Sequence, residues 1–186
     1  MFDFLIRLQR RIYRNRYITF TPPGTRFVLM TLAVGVAALN TGNNLLYLIV
    51  GMMLSLIVVS GVLSEQSLKK IRFDWKFPSR VFARTPFTAE LRIQNLKKVL
   101  PSFSFRVRDT SQGSWSTYIF KLVAGDSTTE RFETVFPERG QVQADSLVLQ
   151  TTFPFGFFNK VLMRPPSQSV LVYPNILPID MASGNR

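Results

Sequence analysis

LNTGNNLLYL, residues 39–48, lies in the middle of the longest charge-free run of the chain, and its reading decides the fold. Residues 27–64 are 38 consecutive positions without Lys, Arg, Asp or Glu. Asn40, Thr41, Gly42, Asn43 and Asn44 form the only polar interruption of any size. A helix rises ~1.5 Å per residue, so the run as one helix extends roughly 57 Å, nearly twice the ~30 Å hydrocarbon core of a bilayer. Two helices of about 18 residues each cover about 28 Å, which fits. Thr21 can N-cap a helix with Pro22 in its first turn, and the Asn/Gly cluster can stop one helix and start the next. The sequence therefore predicts two antiparallel transmembrane helices, 22–39 and 44–63.

Flanking charge agrees with a hairpin. Arg7, Arg10, Arg11, Arg14, Arg16 and Arg26 precede the charge-free run, and Lys69, Lys70 and Arg72 follow it. Cationic flanks favour the cytoplasmic face, and the intervening turn is neutral, so both termini are expected inside. The alternative is one span at 45–63, with 27–39 buried or re-entrant. A cleaved signal peptide ending near Val36-Ala37-Ala38 fits less well, because the preceding basic region is long and a second apolar segment follows at once.

Small side chains suggest how the helices pack. Thr31, Gly35 and Ala38 share a face of the first helix, and Gly51 and Ser55 share one on the second, the small-xxx-small spacing of close helix approach. In the N-terminal arm, Met1, Leu5, Leu8 and Ile12 fall on one helical face with Phe2 and Ile6 beside it. That pattern predicts an interfacial helix rather than a solvated tail.

The 186-residue chain has no Cys and no His, which excludes disulfides, thiolate metal sites and Ser-His-Asp triads. Its net charge of +12 suits an anionic surface, either nucleic acid or phospholipid. Beside apolar helices the lipid reading is preferred, and no helix-turn-helix, zinc-finger or RNA-recognition signature occurs. Glu130 and Glu133 are the nearest acidic pair within a candidate strand, and their spacing puts them on opposite faces. No catalytic residue, metal, cofactor or small-molecule substrate is therefore expected.

Beyond Lys70 the period changes from helical to alternating. Ile71, Phe73, Trp75 and Phe77 alternate with polar neighbours, as do Phe87, Ala89, Leu91 and Ile93, and Phe103, Phe105 and Val107. Further strands are expected at 117–122, 128–136, 140–151 and 160–173, with turn residues between them. About seven short strands predict an antiparallel, immunoglobulin-like β-sandwich. Within it, TTFPFGFFNK (151–160) gathers Phe153, Phe155, Phe157 and Phe158 around Pro154 and Gly156. It reads as a strand-turn-strand corner or as an interaction loop.

Together, TGNNLLYLIVGMMLSLIVVSGVLSE, RIQNLKKVLPSFSFRV, PERGQV, TTFPFGFF and VLVYP, in this order, resemble the N-terminal half of a bacterial membrane-protein family. That family is known only as domain of unknown function number fifty-eight, and the likeness runs from about Pro22 to Pro178. Its members are commonly encoded beside MoxR-type AAA+ ATPases. The resemblance implies two transmembrane helices, a β-sandwich and then a module similar to von Willebrand factor A, which would begin after VLVYPNILPI. Any metal-dependent adhesion chemistry would belong to that module.

The expected organisation is an α+β membrane protein. It has a basic amphipathic arm at 1–21, a transmembrane hairpin at 22–64 turning at 40–44, a linker at 65–70, a β-sandwich at 71–178 and a tail at 179–186. The expected role is a non-enzymatic anchor in the bacterial inner membrane. It would present a cytoplasmic β-sandwich to a protein partner, a MoxR-type ATPase or a neighbouring membrane protein. The alternative is an envelope-facing sandwich that binds glycan or an exported protein after a single span.

Overall fold

The computed structural model describes residues 16–109, 115–143, 146–165 and 168–175. The amphipathic pattern of the arm, with Arg7, Arg10, Arg11 and Arg14, lies outside the described residues, as does the expected tail.

Two helices are long and apolar enough to cross a membrane: α1 (Pro22–Thr41) and α2 (Asn44–Leu68). Thr21 caps α1, its hydroxyl accepting from Gly24 N at 3.1 Å, with proline in the first turn where a missing N–H costs nothing. Gly42 ends the helix in the left-handed conformation (φ 62°) and donates its N–H to Ala38 O at 3.0 Å. Asn43 then caps α2, accepting from Leu45 N at 2.9 Å. The polar cluster is thus a tight turn, made of one C-cap and one N-cap.

The two helices pack against each other along a seam of regular spacing. On α1 the buried and half-buried positions include Gly24, Phe27, Thr31, Val34 and Ala38. On α2 they include Leu46, Val50, Met53 and Ile57, and the same period continues through Ser60, Ser64 and Ser67 where the helix meets the β-body. Alternating steps of three and four are the period of a left-handed helix pair. Thr31 and Ala38 occupy this seam as expected. Gly51 and Ser55 do not. They are exposed, because Gly51 lies one residue, or ~100°, past Val50, and Ser55 lies two residues from both Met53 and Ile57, close to the opposite side of the helix. Gly35 is half-buried, and a Cβ there would meet nothing within 4 Å. Hydroxyls within the helices return to backbone carbonyls, Thr31 to Phe27 O and Thr41 to Ala37 O, both at 2.8 Å.

The strands are β1 (Arg16–Phe20), β2 (Ile71–Lys76), β3 (Val81–Phe82), β4 (Phe87–Asn95), β5 (Ser102–Asp109) and β6 (Ser116–Leu122). They continue with β7 (Ser127–Thr134), β8 (Gly140–Gln143), β9 (Leu147–Thr151), β10 (Phe158–Arg164) and β11 (Ser169–Tyr173). Among the described residues they form a five-stranded sheet β1-β10-β9-β5-β6 and two three-stranded sheets, β2-β4-β7 and β3-β11-β8. The pairing is antiparallel except for β3 against β11. The expected strands 140–151 and 160–173 are each two strands, divided near Ser146 and Pro165.

The five-stranded sheet and β2-β4-β7 face each other over one core. Ile71, Trp75, Leu91 and Ile93 on one side meet Phe105, Val107, Leu149 and Leu162 on the other. Leu68, from the last turn of α2, belongs to the same core. A smaller cluster of Val81, Ala83, Phe136 and Val172 closes the opposite end, under the third sheet.

Two features depart from the expected segmentation. Residues 16–20 of the arm form β1, an edge strand whose register pairs Arg16 with Leu162 and Phe20 with Phe158. Most of 65–70 is not a linker, because α2 continues without a break to Leu68.

Candidate functional site

Both helices enter the β-body at the same end, where ion pairs, lysine-to-carbonyl bonds and aromatic stacking come together. The last turns of α2 carry Ser60, Ser64, Ser67 and Leu68 on one buried face against the five-stranded sheet. Small hydroxyl side chains let the helix approach the sheet closely. Glu65 stands at the edge of this contact. Its Oε1 accepts from Arg16 Nη1 at 2.9 Å, and its Oε2 lies 3.3 Å from Lys160 Nζ. Lys69 Nζ is 4.0 Å from the same carboxylate. Three cations from β1, β10 and the helix end therefore converge on one acid. A cavity of about 30 Å³ beside them, lined by Arg16, Ile18, Glu65, Leu68 and Lys160, has room for a water.

Two lysines also hold the α2 backbone. Lys160 Nζ donates to Gly61 O at 2.9 Å. Lys97 Nζ donates to Gln66 O at 2.6 Å and to Pro101 O at 3.2 Å. Gln66 O is one of the last four helix carbonyls, which have no partner within the helix, and the negative end of the helix dipole falls there. α2 has no basic residue in its last turn, so the β4–β5 loop supplies the cation instead. Burial pushes the Lys97 ammonium below its ordinary value. Further along β10, burial and then the Arg16 charge lower the Arg164 guanidinium.

Asn95 fixes the loop that carries Lys97. It is fully buried, donates to Leu100 O (3.3 Å) and Leu122 O (3.0 Å), and accepts from Lys97 N (3.1 Å). Its own carbonyl accepts from Gly125 N at 2.9 Å, which ties the β6–β7 turn to the same place.

The start of α1 is seated in the 152–157 turn. Thr21 N donates to Phe157 O at 3.0 Å, and its hydroxyl bonds Gly156 O and Phe157 O. Gly24 packs directly on the Phe157 backbone, where any Cβ would collide with the carbonyl. The ring of Phe27 stacks on Phe157 with centroids 4.4 Å apart, and Phe20 meets Phe158 at 5.1 Å. Phe153 stacks on Phe103 at 5.4 Å. Of the four phenylalanines, only Phe155 is exposed. The segment is a corner between β9 and β10, and it also serves as the socket of α1.

The structure thus brings Arg16, Lys69 and three of the phenylalanines into one joint, while Arg26 and Lys70 are exposed beside it. Glu65, Lys97, Lys160 and Gly24 were not singled out from sequence. A signal existed for the lysines. Lys97 continues the inward parity of Ala89, Leu91, Ile93 and Asn95, and Lys160 precedes Leu162 on the inward face of β10. A cation in an inward phase needs a partner. Among the described residues, no group of three or more acidic side chains is gathered to hold a metal ion. The contacts of the joint fix the direction in which the helices leave the β-body. Comparison with protein-family models and with curated proteins finds no match.

Proposed function

We propose that the chain is a membrane anchor whose hairpin crosses the bilayer twice and holds the β-body rigidly at the cytoplasmic surface. The observation that carries this reading is the pairing of β1 with β10. The chain before α1 and the chain after α2 belong to the same β-body, so the hairpin leaves and returns at one side. A single crossing would put Arg16–Phe20 and β10 on opposite faces of the membrane and break that sheet.

The helix surfaces support the bilayer as their surroundings. Leu29, Leu32, Val36, Leu39, Leu48, Val58 and Val62 are each more than half exposed. A core helix of a soluble protein would bury these side chains. Arg16, Arg26, Lys69 and Lys70 at the joint, against a turn without charge, favour the joint as the cytoplasmic end.

The β-body, read as an immunoglobulin-like module of two sheets over one core, acts as a scaffold for a protein partner. The family resemblance suggests a MoxR-type AAA+ ATPase system for that role. Reporter fusions at Gly42 and after Arg186 test the topology. The reading expects an external reporter at the turn and a cytoplasmic one at the C-terminus. Binding of a purified MoxR-type ATPase to the bilayer-embedded chain tests the partner, and no binding would remove it.

A further inference from the structure

We infer that the hairpin-proximal end of the β-body is itself a lipid-binding surface, with the 96–101 loop and Phe155 seated in the headgroup layer of the bilayer that the hairpin crosses. This rests on the membrane reading above and adds residues outside the helices to the membrane contact.

Besides Tyr17, Ile18 and Phe20 of β1, loops at this end expose apolar side chains. Val99 is 81% exposed, Leu100 50%, Leu96 48%, Val123 50% and Phe155 47%. They come from three separate connections, β4–β5, β6–β7 and β9–β10, which share little except their end of the fold. Contacts already described set that position. Leu96 N donates to Lys70 O at 2.8 Å, just past the end of α2, and Lys97 reaches Gln66 O. Asn95 joins the β6–β7 turn to the same loop. Phe155 lies in the turn that receives Thr21 and Gly24 at the start of α1.

Depth follows from helix geometry. Ser64 is the last residue of the charge-free run, so at ~1.5 Å per residue the Gln66 carbonyl that Lys97 holds lies about 3 Å further along the axis. The headgroup region is roughly 5–7 Å thick on each side of the hydrocarbon core. The loop is therefore held at headgroup depth by its own hydrogen bonds to α2. Lys69, Lys70 and Lys98, all exposed, stand among the apolar tips. Apolar side chains with interspersed lysine suit a surface that is greasy below and anionic above. The exposed side chains would otherwise cost solubility with no return.

The absence of cysteine in the chain makes the test direct. Single cysteines at Val99, Phe155, Leu171 and Val58 are labelled with an environment-sensitive fluorophore in the full chain. The labelled chain is then placed in vesicles of phosphatidylcholine with phosphatidylglycerol. Labels at Val99 and Phe155 are expected to shift to the blue and to lose intensity to lipids carrying a quencher near the headgroup. The shift should shrink in phosphatidylcholine alone. Leu171, at the far end, should keep an aqueous spectrum, and Val58 should be quenched from deep in the acyl region. If Val58 is quenched while Val99 and Phe155 match Leu171, the inference is overturned, the anchor stands, and the loop becomes a surface for a protein partner. If Val58 is also unquenched, the membrane reading falls with it.

Discussion

Lys97 and Gly24 each do one thing at one atom, and their substitutions separate the polar and steric halves of the joint. Lys97→Met removes the cation from the Gln66 carbonyl and should cost about 1.5–3 kcal/mol, the usual range for a hydrogen bond to a charged group. The exposed Lys98→Met should be close to neutral, and thermal unfolding of the two variants in the same lipid compares them. The lowered Lys97 pKa adds a pH signature. The folded chain releases this proton before the unfolded chain does, so between the lowered value and 10.5 the unfolded chain binds more protons. Stability contributed by this site therefore rises with pH across that alkaline window, and the rise should vanish in Lys97→Met. Gly24→Ala drives a methyl group into the Phe157 carbonyl and should cost about 1–3 kcal/mol by overpacking. Gly35→Ala, with open space around its Cβ, should cost nothing measurable in the same unfolding assay.

Elements were legible from sequence where their signal was local. The charge-free run, the Asn/Gly cluster, Thr21 and Pro22 all act within a few residues, and both helices and their turn could be read from them. The alternation in β2, β4 and β5 was equally local. β1 was not legible, because RYITF reads as the end of a basic arm and its partner, β10, is far away in the chain. The end of α2 was misjudged for a different reason. Glu65 marks the end of the apolar run, but leaving an apolar layer is not the same as ending a helix. SEQSL contains no breaker, so the helix continues into the β-body, and its last turns make the joint. The small-residue seam is half legible: Thr31 and Ala38 lie on the 3.5-residue period, whereas the four-residue spacing of Gly51 and Ser55 puts them together on a face that is exposed. Glu65→Ala leaves Lys160, almost fully buried, without its carboxylate, while Arg16→Gln removes only an exposed partner. The first should destabilise the docking of α2 by about 1.5–3 kcal/mol. The second should cost less than about 1 kcal/mol. Proteolysis within 65–70 provides a readout, rising in Glu65→Ala and hardly changing in Arg16→Gln.

At the scale of the molecule, a β-body and a helical hairpin are fused through two covalent crossings, two lysine-to-carbonyl bonds, a shared carboxylate and an aromatic socket. Such a joint transmits orientation. Anything bound to the β-body would be held at a fixed angle to the helices rather than on a flexible tether. The proposed topology puts residue 44 and the β-body on opposite sides of the membrane. Single cysteines at Asn44 and Leu171, treated in intact spheroplasts with a membrane-impermeant maleimide, measure this directly. Labelling is expected at Asn44 before lysis and at Leu171 only after it. Labelling of Leu171 in intact spheroplasts, or protection of Asn44 until lysis, would contradict the proposed topology.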